Sequence, residues 1–88
     1  MGIYDTLVDG EKSVQIKCYE SVSLNTFHVG DKTPLKRTVT ILFPDYEEGA
    51  RFAIIEEGVF KGLTNDPTKA KPPFISKWGR KCKSIEDI

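Results

Sequence analysis

The sequence predicts a small all-β domain of five or six mainly antiparallel strands, curled into a half-open barrel or packed as a sandwich. Three observations in the stretch from Thr38 to Leu63 carry that expectation. In Thr38-Val39-Thr40-Ile41-Leu42-Phe43, the residues Val39, Ile41 and Phe43 alternate with Thr40 and Leu42, the period of two of a strand with one buried face. Arg51-Phe52-Ala53-Ile54-Ile55 is apolar on both faces, which predicts the central and most covered strand of three. Glu47-Glu48-Gly49 and Glu56-Glu57-Gly58 repeat one turn signal nine residues apart, the spacing of a β-meander ending in Val59 to Leu63. Gly58 suits the positive φ of a short hairpin loop with a bulge. The competing helix over Glu47 to Phe60 is disfavoured by its glycines and adjacent β-branched residues.

The other elements follow in order. Ile3 to Val8 and Ser13 to Tyr19 flank Asp9-Gly10, a dipeptide suited to a tight turn, and so form a first hairpin. In its second strand Val14, Ile16 and Cys18 share one face, and Gln15, Lys17 and Tyr19 face solvent or a partner. A two-stranded hairpin is unstable alone and must pair with or pack on the meander. Ser21 to Leu35 mixes Leu24, Phe27 and Val29 with the turn residues Asn25, Gly30, Asp31 and Pro34, a packed loop with at most one helical turn. Thr64 to Pro67 is a turn, and Lys69 to Pro73 is extended, because proline disfavours helix in the residue before it. Phe74 to Trp78 reads as a last edge strand. Residues 1–80 are then one β domain, and 81–88 a flexible tail.

Eighty-eight residues allow one modest core, too small for separate substrate and cofactor halves. Thirteen basic and thirteen acidic residues cancel, so overall charge points to neither a nucleic-acid coat nor a membrane-surface protein. The charges are unevenly placed: Asp45 to Glu57 is mostly acidic and Lys61 to Lys83 basic, so the two stretches can attract each other within the fold or between subunits. With neither a signal-peptide pattern nor a membrane-spanning run, the expected location is cytoplasmic, with no membrane partner. Met1 to Thr6 formally fits the permissive pattern for glycine myristoylation, which matters only where the transferase is present. Cys18 and Cys82 are too few for a disulfide framework and read as a buried small residue and a surface thiol.

Met1-Gly2-Ile3-Tyr4-Asp5-Thr6, Val14-Gln15-Ile16-Lys17-Cys18, Phe27-His28-Val29-Gly30-Asp31-Lys32 and Lys77-Trp78-Gly79 together cover about half of the chain. In these motifs the sequence resembles a group of small uncharacterised proteins of bacteria and their phages. That group shares an M-G-x-[YF]-D-T start, a V-Q-x-K segment and a V-G-D step, and some members carry paired cysteines like a zinc ribbon. Cys18 has no such pair, so the metal site does not carry over. The resemblance implies a phage or bacterial origin, with the cytoplasm of a bacterial host as the setting, and transfers no catalytic residue.

Cys18, His28 and Cys82 are the available soft metal ligands, yet the close pairs that structural zinc sites use are missing, so no metal and no cofactor is expected. Thiol catalysis would need His28 as its base, but Cys18 falls on an apolar strand face and Cys82 in the tail. The carboxylate pairs Glu47-Glu48 and Glu56-Glu57 lie in turns and read as solvated charges, so no catalytic residue is expected.

The function predicted is a non-enzymatic binding module, plausible as a phage-encoded protein that docks on another protein and modulates a host process or defence. Aromatic anchors carry disproportionate energy at interfaces, which singles out Tyr4, Tyr19, Tyr46 and Phe60. Exposed strand edges also predict homo-oligomers. The alternative is a single-stranded nucleic-acid binder using Lys69, Lys71, Phe74, Lys77, Trp78, Arg80 and Lys81, with Lys83 nearby, since cations neutralise phosphates and aromatic faces stack on bases. In the plainer reading of that stretch, the aromatics close the core and the lysines keep a sheet edge soluble.

Overall fold

Two tight turns set the antiparallel registers of the fold. The computed structural model describes residues 3–20, 22–43 and 50–84 of the chain. In the first hairpin β1 (Asp5–Asp9) pairs with β2 (Lys12–Ile16), Asp9 lying opposite Lys12. Gly10 has φ 63 and Glu11 does not share the positive φ, the pattern of a II′ turn over Gly10-Glu11. Asp9 is therefore the last residue of β1 rather than a turn residue, and its carboxylate is free to work elsewhere.

The stretch expected to be a loop contains β3 (Thr26–His28), which runs parallel to β1 on the edge opposite β2. It was illegible because three residues, two of them exposed, are too short to show a period.

The meander forms as expected. β4 (Val39–Leu42) pairs with β5 (Phe52–Glu56), and β5 with β6 (Val59–Thr64), all antiparallel. Glu57 and Gly58, at φ 51 and 85, make a two-residue turn of type I′ between Glu56 and Val59. The register slips between Ile54 and Ile55, leaving Lys61 as the bulged residue. No helix spans Ala50 to Phe60; residues 44–49, which include Tyr46, Glu47 and Glu48, lie outside the described residues.

A short 3-10 helix (Pro67–Lys69) follows, capped by the Asp66 carboxylate, which accepts from the Thr68 N–H at 3.0 Å. The chain then returns as β7 (Phe74–Ser76), parallel to β4, and ends in β8 (Lys81–Cys82), antiparallel to β7. β7 is thus an interior strand rather than a last edge, and Lys81 and Cys82, expected at the start of the tail, are paired. Among the described residues there are eight short strands where five or six were expected; the two not foreseen, β3 and β8, hold three and two residues.

The strands form two mixed sheets, β2-β1-β3 and β6-β5-β4-β7-β8, with one core between them. Leu7, Val14 and Ile16 from the first sheet meet Ile41, Ala53, Ile55, Phe60 and Ile75 from the second. β4 is buried at all four positions and occupies the middle of the larger sheet, so it, and not β5, is the most covered strand. Its outer face is closed at Thr40, whose hydroxyl donates to the Lys71 carbonyl at 2.7 Å and accepts from the Lys71 N–H at 3.1 Å.

Backbone hydrogen bonds link the sheets at both sides. After β3, Gly30 donates to the Phe60 carbonyl and Phe60 to the Asp31 carbonyl, at 2.8 and 3.0 Å. On the far side Lys17 donates to the Lys77 carbonyl at 2.7 Å. The two sheets remain separate ladders, and no closed barrel forms. Among the described residues no helix is long and apolar enough to cross a membrane.

Candidate functional site

Two surface features gather the residues singled out by sequence, and the fold divides those residues between them. The first is a depression of about 290 Å³ lined by Ile3, Tyr4, Gln15, Ile16, Lys17, Lys77 and Trp78. β2 supplies Gln15 and Ile16; Lys77 and Trp78 belong to the turn between β7 and β8. That turn is held by Ser76, a buried residue whose hydroxyl accepts from the Trp78 and Arg80 N–H groups at 3.2 and 3.1 Å. Gly79 lets the turn lie against the first hairpin: at φ 89, a Cβ there would stand 3.0 Å from the Cys18 carbonyl oxygen. The result is an indole 66% exposed beside Ile3 at 52% exposed, two large apolar side chains left in water at one place. The Lys77 ammonium sits 5.1 Å from the indole centroid, within cation–π range. Among the described residues the charged lining of the depression is Lys17 and Lys77, both cationic.

The second feature is a groove of about 590 Å³ on the outer face of the five-stranded sheet. Lys61, Lys69 and Lys71 line it together with Thr40, Thr64, Asp9 and Glu56 among others. Asp9 reaches it because it sits in β1 and not in the turn. Its Oδ2 accepts from the Leu63 N–H at 2.9 Å, beside the β6 bulge.

The nucleic-acid set is therefore split. Lys69 and Lys71 line the groove, whereas Lys77 and Trp78 line the depression. Phe74 is half-buried opposite Thr40 and Cys82, and Arg80 and Lys81 lie beyond Trp78 in and before β8.

Of the predicted interaction aromatics, Tyr4 lines the depression beside Trp78. Phe60 is fully buried in the core, so it is corrected from an exposed anchor to a packing residue; its face of β6 points between the sheets. Tyr19 packs half-buried against the same core and donates its hydroxyl to Asp5 Oδ2 at 2.5 Å. Burial, followed by that hydrogen bond, holds its phenol far above the ordinary range. Tyr46 lies outside the described residues.

Asp5 was missed by sequence reasoning. Its carboxylate is fully buried, and besides Tyr19 it accepts from the Ser23 and Asn25 N–H groups at 2.9 and 2.8 Å. A single anion thus pins the loop that leads into β3. Ile3, Gln15 and Lys17 were also passed over as site residues, since nothing in their spacing shows that the turn after β7 reaches them.

Cys18 and Cys82 are free and half-buried. Burial pushes the Cys18 thiol up to about 12, which leaves it protonated and a poor nucleophile at neutral pH. Among the described residues no cluster of His, Cys, Asp and Glu could hold a metal ion. Compared with protein-family models, curated proteins and solved structures, the chain gives no match.

Proposed function

We propose that this chain is a non-enzymatic binding module that docks on a protein chain through the Ile3–Tyr4–Trp78 depression. One observation carries the reading: Trp78 and Ile3, two of the exposed large apolar residues, line one hollow whose charged lining among the described residues, Lys17 and Lys77, is cationic. Aromatic side chains at the centre of an apolar contact supply most of the energy at interfaces, and flanking charges select the partner. The partner therefore brings an apolar contact for the indole and an acidic side chain for Lys17.

The reading is supported by the way the depression is built. Ser76 and Gly79 fix the turn, so the indole is presented on a rigid support with little ordering left to lose on binding. Tyr4, from the original set of aromatics, contributes the wall of the same hollow.

A photo-reactive residue placed at Gln15, in the cell that makes the protein, tests it. One discrete protein adduct is expected, and Trp78→Ala should abolish it while leaving far-UV circular dichroism unchanged. No adduct, or one indifferent to Trp78, overturns the reading.

Single-strand nucleic-acid binding is the second reading, favoured by the exposed indole and the cation stacked on it. Against it stands the division of the cations, since Lys69 and Lys71 line a different groove from Trp78. Oligonucleotide binding that weakens steeply with salt and is lost in Trp78→Ala would replace the docking reading with this one.

A further inference from the structure

We propose that the chain docked at this site is a second copy of the same protein, paired antiparallel through β2; the inference rests on the docking reading above and names its partner.

β2 is the edge of its sheet, and the direction of its free hydrogen-bonding groups follows from the turn. A two-residue turn makes Asp9 and Lys12 a hydrogen-bonded pair, so Leu7 with Val14 and Asp5 with Ile16 are bonded pairs too. The residues between them, Ser13 and Gln15, direct their N–H and C=O groups away from β1. Lys17 continues that outward series, and its N–H donates outward to Lys77, as the alternation requires. On β1 the complementary residue Thr6 points the other way, donating to Asn25 at 2.8 Å.

Other edges are better covered. β6 is bridged by Lys32 opposite Val59, its Phe60 accepts from Gly30 and donates to Asp31, and in the turn before it Gly58 accepts from Thr33. β3 and β8 offer only three and two residues. β2 has five, with no proline and no bulge, and Ser13 and Gln15 are exposed. An edge strand of this length with neither proline nor bulge is a template for another strand.

Charge selects the strand and its register. Pairing two β2 strands about Val14 sets Ser13 opposite Gln15 of the second copy and the reverse. All four outward-facing residues then exchange hydrogen bonds. The same register brings Glu11 of each copy to Lys17 of the other, an opposite-charge contact at each end of the pair. Centring the pair on Ser13 or on Gln15 loses this match; the latter also needs the Lys17 N–H that Lys77 already holds. The ladder stops at Lys17, so the Gly10-Glu11 turn of each copy meets the other at Lys77 and Trp78. The contact is isologous: each copy contributes the edge, the acid and the indole.

Sedimentation of the full chain over a concentration series tests this, with Glu11→Lys, Lys17→Glu and their equimolar mixture. The wild type should form dimers as concentration rises. Each variant alone sets like charges together at both ends and should stay monomeric at concentrations where the wild type is dimeric. Mixed, Glu11→Lys and Lys17→Glu chains have opposite charges at both contacts, so a heterodimer at least as tight as the wild type is expected. A wild type monomeric throughout, variants that dimerise like the wild type, or a mixture no tighter than its components would each overturn the proposal. The adduct at Gln15 separates this failure from that of docking: a Trp78-dependent adduct to a different protein removes the second copy and keeps the docking site.

Discussion

Asp5 shows how one residue can organise a segment with little regular structure of its own. Its buried carboxylate satisfies two backbone N–H groups and the Tyr19 hydroxyl. Asp5→Ala removes the acceptor of three part-buried hydrogen bonds and leaves a hole where a fully buried side chain stood, and is expected to cost about 2–4 kcal/mol in urea unfolding. Cys18 and Tyr19 make a second expectation at this scale. Burial raises both above their ordinary values of 9.0 and 10.0, so the folded state keeps protons that the unfolded chain releases. Stability from these groups is complete below about pH 9, and falls as pH rises from there towards the folded value of about 12 for Cys18, with Tyr19 adding to the loss above its own ordinary value. Denaturant midpoints measured from neutral to alkaline pH should be flat and then decline, and Cys18→Ala should remove the first part of the decline.

Between the elements, burial separates two aromatics that composition alone treats alike. Phe60 lies in β6 with its ring between the sheets, and Phe60→Ala should cost about 3–5 kcal/mol of stability, as large core truncations do. Trp78 lies in the turn after β7 and is mostly in water, so Trp78→Ala should shift the unfolding midpoint little while removing docking. The turn itself depends on Gly79. Gly79→Ala meets both a positive φ and a Cβ within 3.0 Å of the Cys18 carbonyl oxygen. It is expected to cost about 1–3 kcal/mol, the range for strained backbone, and to move the indole, visible as a change in tryptophan emission.

Across the whole molecule, both sheets share one core, and they are tied at opposite sides by the bonds from Gly30 and Lys17. Neither sheet can bury its apolar face alone, which predicts one cooperative unfolding transition. Far-UV circular dichroism and Trp78 emission should give coincident curves; two separated transitions would mean that the sheets are independent. Glu56 and Lys61, one from the acidic and one from the basic stretch of the chain, line the same groove.

The sequence by itself determined the class of fold, the meander and the first hairpin. Those depend on local physics: alternation in Val39 to Phe43, β-branched runs and glycine turns at Gly10 and Gly58. It could not reveal β3 or the interior place of β7, because both are parallel pairings between distant segments, and three residues carry no period. Nor could it separate Phe60 from Trp78, since both are aromatic residues near cations until the sheets close on one and leave the other outside. The depression was decided by tertiary structure alone: it exists because Ser76 and Gly79 bring a turn late in the chain against Lys17, a contact with no local signature in the residues that form it.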